Sequence, residues 1–157
     1  MSDPIQTALA RVPYGVSVVT VGVGGAESGL TVSWLSQCSS RPPMLCFSIH
    51  PHHYSRELLQ DHPHFVVNLL RSGQQELAAR FARTALQKES KLDGLATRPA
   101  PSECLLLEDA LAWFDCRVAG LHEAGDHLLV VGEIEAAGVL GDGSAMTTAE
   151  GLRYRPK

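Results

Sequence analysis

The sequence has no surplus of basic charge: 13 Lys and Arg stand against 17 Asp and Glu, for a formal net charge of −4. Phosphate backbones select basic surfaces, so nucleic acid is not expected as the main partner. Long apolar runs are also lacking. Leu128-Leu129-Val130-Val131 has strand length, far short of the roughly 20 residues of a membrane helix, and no membrane partner is expected. At the N-terminus no basic segment precedes an apolar one, so no signal peptide is expected. Cysteine is sparse, at positions 38, 46, 104 and 116, with no CxxC pair. Cys46 and Cys116 lie in apolar, strand-like runs and read as buried reduced thiols; a cytoplasmic protein is the default expectation.

The common catalytic motifs are missing too. Gly22-Val23-Gly24 follows a strand as a dinucleotide fingerprint should, but Glu27 stands at the third glycine position and another strand comes next. It reads as a hairpin turn. No GxSxG nucleophile elbow exists, because Ser17 is followed by valines. His50, His52 and His53 form a short cluster, yet no carboxylate or cysteine stands at a convincing ligand spacing. Pro51 points to a solvated loop, and no metal site is assigned.

What is present is an ordinary globular balance, 45% hydrophobic and 19% charged, over 157 residues. That length suits one domain, residues 1–157, with a sizeable core. Asp3-Pro4 opens a short helix whose apolar face is Ile5, Ala8, Leu9 and Val12, stopped by Pro13. Residues 14–22, rich in Val and Thr, predict a strand. Leu30, Val32 and Trp34 then alternate with Thr31 and Ser33, predicting a second with one apolar and one polar face. Residues 44–49 and 64–70 predict two more, separated by a helix that Ser55 caps. Ser72 and Gln75 form a capping-box pattern for a helix carrying Leu77, Ala78, Phe81 and Ala82. Residues 83–103 predict a long surface loop, 110–120 and 127–137 two long strands, and 151–155 a closing strand. The sum is a mainly β domain of six or seven antiparallel strands with about three short helices. Closure into a barrel would remove its edges.

Residues 28–43 are the most informative segment, with six hydroxyl side chains running from a strand into the turn Arg41-Pro42-Pro43. Hydroxyls and free backbone N–H groups suit a phosphate ester or the polar rim of a heterocycle. On composition alone, an amphipathic strand followed by a serine-rich loop is the plainer reading.

The segment resembles the flavin reductase-like, FMN-binding split-barrel family, in which a Gly-x-Thr-x-Ser strand precedes a Ser-x-x-Ser loop and a Pro-Pro pair. Val32-Ser33-Trp34-Leu35-Ser36-Gln37 is especially similar to the flavin reductase-like domain of cyanobacterial diflavin flavoproteins. Further blocks follow in family order: Phe65-Val66-Val67-Asn68-Leu69-Leu70, then Ala112-Trp113-Phe114-Asp115-Cys116, then Gly125-Asp126-His127. The resemblance implies a Greek-key split barrel binding FMN, or else FAD, with NAD(P)H as a transient co-substrate. It places Thr31, Val32, Ser33 and Trp34 along the flavin ring, and Ser36, Gln37 and Ser39 at the ribityl chain or phosphate. Ser55 becomes a phosphate-binding hydroxyl and Lys91 a phosphate counter-charge, with a plain cap and a solvated lysine as their alternatives. His127 falls near flavin and nicotinamide, as the candidate catalytic residue, and Tyr154 near the ring. A homodimer is implied. The implied activity is NAD(P)H-dependent flavin reduction. An electron-transfer module reduced by a redox partner protein, and a non-enzymatic flavin- or haem-binding barrel, remain open beside it.

Overall fold

The structure, a computed structural model, describes residues 3–83 and 90–150. Its main element is one antiparallel sheet built from β1 (Ser17–Val21), β2 (Ser28–Val32), β3 (Leu35–Ser40), β4 (Pro43–Ile49), β5 (His64–Leu69), β8 (Ala112–Ala124) and β9 (His127–Val139). These seven strands lie in the order β2-β1-β5-β8-β9-β4-β3. A separate ribbon pairs β6 (Thr97–Pro99) with β7 (Leu105–Leu107). Three helices interleave with them: α1 (Pro4–Leu9), α2 (Ser55–Asp61) and α3 (Gln75–Ala82).

The two edges of the sheet are consecutive in the chain. β2 ends at Val32 and β3 starts at Leu35, so only Ser33 and Trp34 join opposite ends of a seven-strand order. Three Cα steps reach about 10 Å at most, which forces the sheet to curl until its edges nearly meet. The result is a split barrel, with a seam at Ser33-Trp34.

The interior is filled by Val19, Val21, Leu30, Val32, Leu45, Phe47, Phe65, Val67 and Val130, with Leu58 and Leu59 of α2 packed into the same cluster. Phe47 and Phe65 meet edge to face at 5.0 Å. Gly132 makes room for them: a Cβ there would sit 2.4 Å from the Phe65 ring. The outer face of β1 is buried as well, because Val16 and Val18 pack beneath Ala78 and Phe81 of α3. A third small cluster joins Val66 to Ala100, Cys104 and Leu106 around the ribbon. Between these layers lies the fully buried Asn68. Its Nδ2 donates to the Val18 carbonyl at 2.9 Å and to Thr20 Oγ1 at 3.2 Å, and its Oδ1 accepts from the Leu107 N–H at 2.8 Å.

The mainly β, seven-stranded class with three helices agrees with the sequence reading, but local expectations differ in five places. Residues 28–32 have no solvent-exposed face, since the whole strand is buried between interior and helix. Residues 35–40 form an edge strand rather than a loop. The ribbon strand β6 occupies part of the stretch expected to be unstructured. Ser72 caps nothing: its hydroxyl donates at 2.7 Å to the Glu150 carboxylate, a charge-assisted bond that outcompetes a backbone cap. Ser55 makes no capping bond either, being turned into the protein at the start of α2. The expected strand at 151–155 lies outside the described residues.

Candidate functional site

Side chains of the seam and of residues 50–55 gather into two neighbouring groups. The first is a set of rings. Trp34, 41% exposed, lies between β2 and β3, with its carbonyl accepting the Ser48 N–H of β4 at 3.2 Å. β4 pairs with β9 so that Ile49 faces Leu128. The next residue at the end of β4 is His50, and the residue that begins β9 is His127, so the register alone makes them neighbours. Their rings stand edge to face at 6.2 Å, and His127 also lies 5.0 Å from the Trp34 ring. His50 in turn is 5.5 Å from His52. Asp126 Oδ1 is 2.7 Å from His127 Nδ1, and this hydrogen bond holds the Asp126 carboxyl below its ordinary range. An acceptor at Nδ1 keeps the proton there in the neutral ring and leaves Nε2 for other contacts.

The second group is polar and more deeply set. Ser55 is fully buried, and its Oγ finds no hydrogen-bond partner among the described residues. Its N–H donates to His53 Nδ1 at 3.1 Å. Burial lowers the His53 pKa, helped by the positive charges of Lys91 and His50. Lys91 donates from Nζ to the carbonyls of Gly29 and Phe81, both at 3.2 Å, and burial lowers its pKa as well. Among the described residues no carboxylate pairs with it. Ser33, 2% exposed at the seam, carries a second buried hydroxyl without a partner. A buried polar atom without a hydrogen bond is costly, so the orphan hydroxyl of Ser55, next to the His53 that Lys91 acts on, fits an anionic, hydrogen-bonding ligand.

The remaining expected site residues distribute unevenly. Thr31 Oγ1 donates to the Ala78 carbonyl at 2.6 Å and fastens β2 to α3. The Val32 side chain belongs to the barrel interior, which leaves its backbone as the part able to face a ligand. Ser36 and Gln37 are exposed on β3 and Ser39 is half-buried; their polar groups are turned to neighbouring carbonyls, Ser36 Oγ to Gln37 and Gln37 Nε2 to Ser39. Tyr154 lies outside the described residues. Conversely, His50 and His53 stand among the site residues although their sequence pattern suggested a solvated loop. The signal that finds them is strand register, since His50 follows the last residue of β4 paired to the His127 strand. Among the described residues no three His, Cys, Asp or Glu side chains converge as metal ligands.

An antiparallel split barrel with an aromatic wall at its seam, and with a buried lysine and an unpartnered hydroxyl nearby, fits a nucleotide-like cofactor. The chain belongs to the flavin reductase like domain family, whose model matches residues 9–154. It is similar to a flavin reductase of Pseudomonas putida, 31% identical over 92% of this chain and 85% of that protein. A flavin reductase (NADH) of Kitasatospora aureofaciens is 32% identical over 87% of this chain and 71% of its own length. Diflavin flavoproteins of cyanobacteria match at comparable identity, but this chain spans only 24% of their length. Among solved structures, the Streptomyces globisporus NADH:FAD oxidoreductase superposes with a TM-score of 0.87 at 27% identity, covering 99% of this chain and 98% of that one. The flavin reductase component of a bacterial two-component tryptophan halogenase reaches 0.83 at 25% identity, over 94% and 92%.

Proposed function

We propose that this chain is an NAD(P)H-dependent flavin reductase that binds FMN at the seam of its barrel. The observation that carries the reading is the orphan buried hydroxyl of Ser55, set next to His53, on which the charge of Lys91, an ammonium with no carboxylate partner among the described residues, acts. A phosphate ester supplies what each lacks. Ser55 Oγ donates to a phosphate oxygen, Lys91 Nζ neutralises its charge, and His53 takes up a proton as the anion arrives. Trp34 gives the isoalloxazine an aromatic wall, and backbone groups of Thr31, Val32 and Ser33 meet its polar edge. Ser36, Gln37 and Ser39 are assigned to the ribityl chain after their intrachain bonds rearrange. Tyr154 is assigned to the ring on the family resemblance alone.

When bound, FMN supplies the hydride-accepting and electron-passing chemistry. The protein's part is placement and charge. His127, oriented by Asp126, would when protonated present an Nε2–H donor and a positive charge at the open side of the Trp34 wall, where they stabilise negative charge on a reduced ring. His50 packs against His127 and restricts its ring. The same open side is where a nicotinamide is expected to stack. The chain functions as a cytoplasmic homodimer: α1 and the turn after it leave Ile5, Leu9 and Val12 exposed, at 66%, 50% and 44%, an apolar stripe open to a second copy. The chain would supply reduced flavin to a partner protein, a reading supported by the halogenase relative, which is the flavin reductase component of a two-component system.

A second reading, an electron-transfer module reduced by another protein, is favoured by one observation: the diflavin flavoproteins match this chain as a quarter of a larger molecule. Titration with FMN and riboflavin tests the phosphate cradle that both readings share. FMN is expected to bind roughly tenfold more tightly or better, as a charge-assisted hydrogen bond requires. Equal affinity for the two flavins contradicts the assignment of Ser55 and Lys91.

A further inference from the structure

Two thiols stand together on the strands that border the seam. β3 and β4 pair with Ser36 opposite Cys46 and Gln37 opposite Leu45, and the register then slips so that Ser39 faces Met44. Cys38 is the extra residue of this bulge. Residues paired across strands share a face and side chains alternate along each strand, so Cys38 returns to the side that Ser36 shares with Cys46. Leu45, Phe47 and Ile49 are the buried residues of β4, which leaves Cys46 half-buried on the outer side. Cys38 is exposed, and both cysteines are free. Burial first, and then the neighbouring Cys38 thiol, push the Cys46 thiol up. Cys104 and Cys116 differ, each buried and pushed up by burial, to about 11 and about 12.

We propose that Cys38 and Cys46 form a reversible dithiol–disulfide site, oxidised by hydrogen peroxide, which ties the edge strand β3 to β4. Cys38 is the first target, because it is the accessible one. Its thiolate attacks a peroxide oxygen, the O–O bond breaks, and hydroxide leaves with a sulfenic acid remaining on Cys38. The Cys46 sulfur then attacks the Cys38 sulfur. The S–S bond forms as the S–O bond breaks, and the departing hydroxide takes the Cys46 proton to become water. The two thiols lose two electrons and the peroxide is reduced to two molecules of water. A bulge bends its strand and increases local twist, which gives the backbone the freedom that disulfide geometry demands. The disulfide also fixes the strand carrying Ser36, Gln37 and Ser39, so oxidation weakens FMN binding; this consequence rests on the flavin reading above.

The test is peroxide treatment of the reduced full chain, followed by alkylation and chymotryptic mapping. Trypsin is unsuitable because Arg41 precedes Pro42, whereas cleavage after Met44 or Leu45 separates the two cysteines. The expected result is loss of two thiols per chain, a peptide pair joined through Cys38 and Cys46, and full recovery with dithiothreitol. Cys46→Ser is expected to leave a dimedone-reactive Cys38, and Cys38→Ser to protect all the remaining thiols. Dimers linked through Cys38, a stable Cys38 sulfenic acid in the unsubstituted chain, or no thiol loss would each overturn the proposal. FMN titration of both forms reads the consequence, with the oxidised form binding roughly threefold more weakly or worse. Equal affinity overturns the coupling, whereas failure of the reduced form to bind FMN sinks the flavin reading and leaves the disulfide mapping to stand alone.

Discussion

Ser55 and Lys91, the proposed phosphate contacts, show how a binding site would differ from a core at the level of single residues. A hydroxyl at zero exposure with no partner lowers the stability of the folded chain, and so does an ammonium held among carbonyls. Ser55→Ala therefore removes a desolvation penalty from the ligand-free protein: its melting temperature is expected to hold or rise, while FMN binding weakens roughly tenfold or more. A fall in ligand-free stability, seen by thermal denaturation, would show that Ser55 is bonded within the fold. His53 gives the pH dependence. Its pKa in the ligand-free fold is lowered from the ordinary histidine value of 6.5, so the unfolded chain binds more protons than the folded one as pH falls. The sign follows: the stability tied to this group is complete above 6.5 and declines as pH drops through the range below it. FMN reverses the sign by favouring protonated His53, so its affinity is expected to rise as pH falls from about 8 toward about 6, and His53→Gln should flatten that rise. The roles proposed for Ser55 and Lys91 rest on family resemblance, because a serine at a helix start and a lysine on a loop have commonplace alternatives. Thr31 was misleading for a physical reason. Alternation separates two faces of a strand but does not reveal that a helix covers the polar one, where Ala78 takes the hydroxyl.

Among the elements, the strands were the easiest to read, since runs such as Ser17-Val18-Val19-Thr20-Val21 combine branched side chains with tight bounding turns. Caps were harder. The Ser72 pattern is a good helix start in isolation, but Glu150, 78 residues later, takes the hydroxyl. Asn68 joins β5 to β1 and β7 through hydrogen bonds in three directions, and nothing local in the sequence announces it. Asn68→Ala leaves the buried Leu107 N–H and Val18 carbonyl short of a partner and is expected to destabilise the fold by about 2–4 kcal/mol in chemical denaturation. Ser72→Ala, at an exposed site, should change stability by less than about 1 kcal/mol in the same experiment. Equal losses from the two would contradict the placement of Asn68 between the layers.

At the scale of the whole molecule, the order of the sheet decides where the proposed site lies. Its edges are joined by Ser33 and Trp34, so the barrel stays split there, and the unpartnered hydroxyl of Ser33 lies at that seam. That order was not legible from local patterns, because β1 pairs with β5 and β4 with β9 across long stretches of chain. The ring set of Trp34, His50 and His127 is a product of those same pairings. The proposed homodimer belongs to this scale as well: sedimentation should give twice the chain mass, and charged substitutions at Ile5 and Leu9 should halve it. Most direct of all is anaerobic mixing of the FMN-loaded protein with NADH or NADPH, followed at the flavin absorbance maximum. Rapid bleaching by one of the two nicotinamides is the predicted result. Bleaching by dithionite alone, with no response to either nicotinamide, would contradict the reductase assignment.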